Sequence, residues 1–187
     1  MALTISIISL LISGLTFWLT RVRKGHLKMT RPSMICFVGQ NGNDEPKIVL
    51  RTLLYATAEQ GQYIQNMFVK IFRAETIQNF NVWAYDDKGI VRGSDLFASK
   101  TGVSLYHHFL LPKNEQWVFV AGEYRLEVYA DLVNRTTKKI FEQKLLLTNE
   151  QADDIKQGRA IYFDYAPNAG QYISHSDNRT NDRKNAL

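Results

Sequence analysis

The first twenty residues contain no charged side chain and consist mainly of leucine, isoleucine and other apolar residues. At about 1.5 Å per residue, a helix of this length measures roughly 30 Å, the thickness of a bilayer core. A secretory signal peptide carries positive charge before its apolar run and small residues at its cleavage site. Here the charge comes after the run, and residues 17–20 form a poor cleavage site. Segment 1–20 is therefore predicted to be an uncut transmembrane helix, the alternatives being a cleaved signal peptide and a buried N-terminal helix.

A short basic connector, residues 21–31, follows the predicted span and contains no acidic residue. Lysine and arginine beside a membrane span are retained on the cytoplasmic side. The chain is therefore predicted to cross the membrane once, with its C-terminal domain in the cytoplasm. Near an anionic surface each such residue also gains about 1 kcal/mol from lipid headgroups. The residues predicted to fix the topology and to contact headgroups are Arg21, Arg23, Lys24, Lys28 and Arg31.

The small residues of the predicted span recur every three or four positions, which places them on one face of a helix. Helices associate in lipid through close backbone approach over small residues and through hydroxyl hydrogen bonds. This face is therefore predicted to pair with another membrane protein or with a second copy of the chain. The alternative is that the hydroxyls bond back to carbonyls of their own helix. The predicted pairing face consists of Ser6, Ser9, Ser13 and Thr16.

Charge and cysteine content exclude several classes of partner and site. The five basic residues of the connector account for the net charge of +5, so that the remaining 18 basic residues balance 18 acidic ones. Nucleic-acid binding needs a cationic stripe on the folded surface, and we expect no nucleic-acid partner. Cys36 is the single cysteine, which excludes a disulfide framework and a cysteine-based zinc site.

Beyond residue 31 the dominant pattern is alternation of apolar and polar residues, which is typical of strands packed on one side. One short helix is predicted near 149–157, because Thr148 and Gln151 form a capping-box pattern. Many strands with little helix predict an all-β fold, an antiparallel β-sandwich over 32–175, followed by a disordered tail at 176–187. Strands are predicted at 34–39, 47–55, 67–73, 79–86, 102–111, 117–120, 124–132 and 138–147, with a closing hairpin of 160–165 and 171–175.

The run Val-Ala-Gly-Glu-Tyr-Arg-Leu-Glu-Val-Tyr-Ala at residues 120–130 resembles a late strand of immunoglobulin-like and fibronectin-type-III-like sandwiches. In those domains the hydroxyl of such a tyrosine bonds to backbone upstream in the chain. The resemblance implies an immunoglobulin-like architecture and that role for Tyr124, and it implies no activity.

The sequence shows no catalytic motif for which a reaction could be named. Neighbouring His107 and His108 point to opposite faces of a predicted strand, so that they do not readily hold one metal ion. An acid–base pair such as Asp164 with Glu142 is an alternative that depends on the fold. We expect no catalytic residue, no metal site and no cofactor, and we predict that the chain is not an enzyme.

Tyr129 is a large ring on the polar face of the strand at 124–132. It shares this face with Arg125 and Glu127, and a ring with a charged rim is typical of a protein contact. Tyr162 would extend this surface if its hairpin lay alongside. The sequence thus predicts a membrane-anchored binding or scaffold module, a subunit or adaptor of a membrane-associated complex. The first alternative is a domain that binds a sugar or a lipid headgroup and uses Trp83 or Trp117 as a stacking platform. The second alternative is a hydrolase or a metal enzyme, which would require the histidines to converge with carboxylates.

Overall fold

The computed structural model describes residues 2–23, 25–40, 45–86, 89–133 and 137–177. Its N-terminal helix α1 (Ala2–Phe17) continues into a π-helical turn (Trp18–Val22). An 18-residue window within these 21 residues has a mean hydropathy of 2.0, and none of the helix is buried against the rest of the protein. Length and composition therefore suit a membrane span, and they suit a signal sequence equally.

Within the described residues the chain forms two antiparallel sheets, one of eight strands and one of five. The larger sheet has the order β13-β12-β2-β3-β9-β6-β7, with β1 also paired to β3, and the smaller has the order β11-β10-β4-β5, with β8 also paired to β4. The strands are β1 (Leu27–Met29), β2 (Met34–Val38), β3 (Lys47–Ala56), β4 (Gln62–Arg73), β5 (Thr76–Phe80), β6 (Val82–Asp86), β7 (Ile90–Arg92), β8 (Leu96–Ala98), β9 (Val103–Leu110), β10 (Gly122–Leu132), β11 (Lys138–Leu147), β12 (Ala160–Ala166) and β13 (Gln171–Asp177).

One hydrophobic core joins the two sheets. Ile48 and Phe109 of the larger sheet and Val69 and Val128 of the smaller sheet are fully buried in the same cluster. The predicted all-β, sandwich-like fold of antiparallel strands is therefore confirmed. The immunoglobulin-like architecture implied by residues 120–130 is not confirmed.

The segment that follows the apolar helix is hydrogen-bonded to the sandwich. Strand β1 lies inside the predicted connector 21–31 and pairs with the end of β3. The backbone N–H of His26 donates to Thr57 Oγ1 at 2.8 Å. A Cβ atom on Gly25 would lie 2.5 Å from the backbone nitrogen of Ala58, so this close approach requires glycine.

The predicted strand at 117–120 is wrong, because this segment has no strand partner in the described chain. Its backbone is satisfied by a side chain instead: Tyr124 donates its hydroxyl to the Val120 carbonyl at 2.7 Å and accepts from the Val120 N–H at 3.0 Å. Phe119 is fully buried between the sheets. The hydroxyl contact implied for Tyr124 is thus present, although the segment that it holds is irregular.

The predicted strand 79–86 divides at Asn81 into β5 and β6, which belong to different sheets. The alternation continues across Asn81, so the sequence pattern does not reveal the change of sheet. Helix α2 (Asn149–Lys156) begins with the predicted capping box of Thr148 and Gln151. The predicted closing hairpin forms as β12 and β13. Of the predicted tail 176–187, residues 178–187 lie outside the described residues.

Candidate functional site

The outward face of the five-stranded sheet carries a ladder of rings and charges where β4 and β10 pair. Alternation along β10 turns Arg125, Glu127 and Tyr129 outward, as predicted. The register places one residue of β4 opposite each of them: Phe72 opposite Arg125, Lys70 opposite Glu127, and Phe68 opposite Tyr129. We call these six residues the ladder face.

The rings of the ladder face are stacked and covered by cations. Phe68 and Tyr129 lie parallel, with centroids 5.0 Å apart and an interplanar angle of 2°. Lys70 Nζ lies 5.0 Å from the Tyr129 centroid, and Arg125 Cζ lies 4.2 Å from the centroid of Phe72. At an exposed site each cation over a ring contributes about 0.5–1 kcal/mol. The contacts therefore fix long side chains in one arrangement.

Glu127 is the centre of this arrangement and is only 4% exposed, although it belongs to an outward face. Tyr129 donates its hydroxyl to Glu127 Oε2 at 2.6 Å. Lys139 Nζ of strand β11 lies 3.2 Å from Glu127 Oε1, and Arg125 Nε lies 3.7 Å from the same oxygen. Lys139 also contacts Glu142 at 2.5 Å. The carboxylate thus orients three side chains and presents little surface of its own.

These contacts shift the pKa values of the cluster in consistent directions. Burial by itself raises the pKa of Glu127, but the hydrogen bonds from Tyr129 and Lys139, with the charges of Lys139 and Arg125, outweigh it and lower the pKa. The hydrogen bond to Glu127 raises the pKa of Tyr129. The hydrogen bonds to Glu142 and Glu127 raise the pKa of Lys139. At neutral pH the cluster therefore holds an ionised Glu127 among two cations and a neutral phenol.

Sequence reasoning found one strand of the ladder face and missed the other. Phe68, Lys70 and Phe72 alternate with the buried residues of β4, and this alternation could have placed them on an outward face. Their alignment with β10 has no sequence signal. Tyr162 does not extend the surface, because it lies in the other sheet, where its ring stacks on His175 at 5.5 Å.

The two tryptophans considered as stacking platforms differ in how far they are buried. Trp83 is 2% exposed, and its Nε1–H donates to His107 Nδ1 at 3.2 Å. Trp117 is half-buried and meets Phe119 edge-on at 6.4 Å. The Trp83 ring is therefore not available to stack against a sugar.

The histidines and carboxylates considered for catalysis or metal binding do not form one site in the described part of the chain. His107 is fully buried, whereas its neighbour His108 lies on the opposite face of β9. Asp164 faces His175 at 3.5 Å in the larger sheet, and Glu142 belongs to the smaller sheet, so these two carboxylates do not form a pair. Across the described ranges no three residues among His, Cys, Asp and Glu come together as metal ligands.

The hydroxyls of the predicted helix-pairing face divide into two groups. Ser6 donates to the Ala2 carbonyl at 3.0 Å, and Thr16 donates to the Ile12 carbonyl at 2.8 Å. These two follow the alternative in which hydroxyls bond within their own helix. Ser9 and Ser13 are exposed on the helix surface. Among the predicted topology residues, Arg21, Arg23, Lys28 and Arg31 are exposed, and Lys24 lies outside the described residues.

Comparison with known proteins does not assign this chain to a family. No family model matches it, and no curated protein matches it. A solved structure to which it is similar is a family 123 glycoside hydrolase from Clostridium perfringens, described for glycolipid glycan hydrolysis. The similarity has a TM-score of 0.36 and 7% identity, and it covers 67% of this chain and 28% of the hydrolase.

This similarity corrects one prediction. The expectation that the chain is not an enzyme is contradicted by a structural neighbour that is a hydrolase, and we withdraw it. At a TM-score of 0.36 the similarity carries no argument about a reaction, a substrate or catalytic residues in this chain.

Proposed function

We propose that the protein is a membrane-anchored binding or scaffold module, a subunit or adaptor of a membrane-associated complex, which meets its partner through the ladder face. The observation that carries the proposal is the ordered set of rings and cations around Glu127 on an outward sheet face. Interface hot spots are enriched in tyrosine and arginine held in fixed positions. Arg125 keeps 44% of its side chain exposed and Lys139 keeps 43%. Both cations are therefore oriented and still accessible to a partner.

The proposed anchor is the apolar helix of 21 residues from Ala2 to Val22, in which Arg21 near the C-terminal end is the single charged residue and of which nothing is buried. The basic residues that follow it support an orientation with the sandwich in the cytoplasm. Tethering to a bilayer raises the local concentration of the module around a membrane-bound partner, and this converts modest affinity into stable association.

Site-specific photo-crosslinking in intact cells tests the ladder face. A photoreactive amino acid at Lys70 is expected to give a defined crosslinked product with a partner protein, because Lys70 lies over the Tyr129 ring at the centre of the face. The matched control carries the same amino acid at Ile173, which is 54% exposed on the edge strand of the other sheet. Adding Tyr129→Ala to the Lys70 variant should reduce the product at least fivefold. Equal crosslinking from both positions, or none from Lys70, contradicts the proposal.

We further propose that Ser9 and Ser13 form the contact of the anchor with a partner helix. Replacing both by leucine removes the close approach and the hydroxyls, and should weaken association within the membrane. The matched control replaces Ile8 and Ile12 by leucine on another face of the helix. Crosslinking of single cysteines in the membrane measures the association, and an undiminished signal in the double serine variant contradicts this contact.

A further inference from the structure

A groove of about 360 Å³ opens between the two sheets on one side of the sandwich. It lies between β11 and the hairpin of β12 and β13, and both β11 and β13 are the last strands of their sheets. We call it the edge groove. The residues that line it include Gln143, Leu145 and Leu146 of β11 and Phe163, Tyr172 and Ser174 of the hairpin.

Hydrogen bonds hold the hairpin wall of the edge groove at two points. Gln151, in the helix that follows β11, donates to Ser174 Oγ at 2.7 Å. Two residues away along β13, the Tyr172 hydroxyl donates at 2.7 Å to a backbone carbonyl of the segment that joins β1 and β2. Leu145 and Phe163 are the most buried residues of the lining, 4% and 2% exposed, and both belong to the hydrophobic core. The groove is therefore a fixed opening with an apolar floor.

The backbone of β11 is paired along one side only. Strand β10 pairs with it, and among the described residues no second strand and no turn or loop contributes a backbone hydrogen bond to it. Beside the groove, the Lys144 carbonyl accepts from the side chain of Gln143 at 2.8 Å. An unpaired strand edge is a row of N–H and C=O groups to which another chain can pair. The edge groove thus places backbone donors and acceptors beside an apolar floor.

The part of β11 that lines the groove lacks most of the features that protect a sheet edge. Short length, lysines, prolines and bulges discourage pairing with another chain. In β11 the lysines at 138–139 and the register shift lie at the beginning of the strand, whereas residues 143–147 pair with β10 without a shift. Their one lysine, Lys144, contacts Glu123 at 3.2 Å, and Leu146 is exposed. This stretch is therefore open to an added strand.

We propose that an extended segment of a partner protein adds as a strand to residues 143–147 of β11. Successive side chains of a strand point to opposite faces, so every second side chain of the segment enters the edge groove. There it meets Phe163 and Tyr172, which favour apolar residues at these alternate positions. Backbone hydrogen bonds give such a contact its affinity, and the space for alternate side chains gives it specificity. The contact lies outside the ladder face and does not depend on it.

Photo-crosslinking at two positions along the groove tests this arrangement with the full chain in intact cells. One variant carries a photoreactive amino acid at Gln143, and a second carries it at Leu146. Tandem mass spectrometry of the digested product locates the attachment sites on the partner. Both strands advance about 3.4 Å per residue, so the two sites should lie about three residues apart in one segment. Apolar residues should occupy alternate positions of that segment, and Tyr129→Ala should leave both products in place.

Substitutions at two neighbouring positions of β13 serve as a matched pair. Ser174→Phe places a ring in the groove and should reduce both crosslinked products at least fivefold. His175→Phe places the same ring on the opposite face of the strand, where His175 is exposed, and should leave the products unchanged. Ser174→Val adds less volume and should give a smaller reduction, and thermal unfolding in detergent checks that each variant is folded.

The proposal is overturned if neither position gives a product, or if the two attachment sites lie in different segments. It is also overturned if the product joins two copies of this chain, or if Ser174→Phe, Ser174→Val and His175→Phe leave equal amounts of product. Loss of both products in Tyr129→Ala would assign them to the ladder face and would likewise overturn the proposal.

Discussion

Acidification from pH 7 to pH 4 is expected to lower the free energy of unfolding by about 3 kcal/mol through His107 alone. Burial lowers the pKa of His107 from 6.5 to about 4, with a smaller contribution from the charge of His108. The hydrogen bond from Trp83 to His107 Nδ1 also requires that this nitrogen be unprotonated. The folded protein therefore keeps the imidazole neutral.

The sign of the effect follows from which state binds the proton. Between pH 6.5 and pH 4 the unfolded His107 is protonated, whereas the folded one is not. Stability is fully present above pH 6.5 and is lost as the pH falls towards 4. Glu127 adds a loss of the same sign at lower pH, because its folded pKa lies below the ordinary value of 4.5.

Denaturant unfolding of the full chain in detergent, followed at several pH values, measures this dependence. His107→Gln retains an acceptor for Trp83 and has no proton to gain, so between pH 6.5 and 4.5 the variant should lose much less unfolding free energy than the unaltered protein. A smaller loss remains through His108, whose pKa is also lowered by burial. The free energies of unfolding of the variant and the unaltered protein should converge as the pH falls. Parallel pH profiles for the two proteins would show that His107 is not the buried group responsible.

Phe37→Ala is expected to cost about 3–5 kcal/mol of unfolding free energy. Phe37 is fully buried and stacks on Phe119 at 4.8 Å. It also meets Phe163 at 5.2 Å and Tyr124 at 5.7 Å, both edge-on. Truncation therefore leaves a cavity between the two sheets and removes support from the irregular segment that contains Phe119.

Phe97→Ala provides the matched control, because the same atoms are removed from a ring that is 43% exposed on strand β8. We expect this control to cost no more than about 1 kcal/mol. Chemical denaturation monitored by tryptophan fluorescence compares the two variants. Equal losses at both positions would contradict the assignment of Phe37 to the centre of the core.

Local signals in the sequence predicted much of the fold. Alternation identified β3, β9, β10 and β11 to within two residues at their ends, because each has one buried face. The capping box identified α2 through the bonds between Thr148 and Gln151. These features depend on neighbours in the chain, which is why the sequence alone reveals them.

Other parts of the fold depend on contacts that the sequence does not show. Strands β7 and β8 have three residues each, too few for a periodic pattern. The change of sheet at Asn81 and the irregular path through Phe119 are decided by packing between the sheets. The predicted strand 117–120 failed because Tyr124 replaces the strand partner of its backbone.

Only part of the candidate site could be predicted from the sequence. Tyr129 and Arg125 could be placed on one face by alternation, but the burial of Glu127 could not. That burial depends on Lys139 from β11 and on the register that sets Lys70 opposite Glu127.

One experiment on inside-out membrane vesicles tests the claim that an uncleaved helix holds the sandwich at the cytoplasmic surface. Protease added to the exposed cytoplasmic face is followed by intact-mass analysis of the membrane-bound product, with an undigested sample as reference. We expect the undigested protein to have a mass that includes residues 2–20. We expect the sandwich to be digested in inside-out vesicles and to be protected in right-side-out vesicles. An undigested product that begins near residue 20, or a sandwich digested only in right-side-out vesicles, would contradict it.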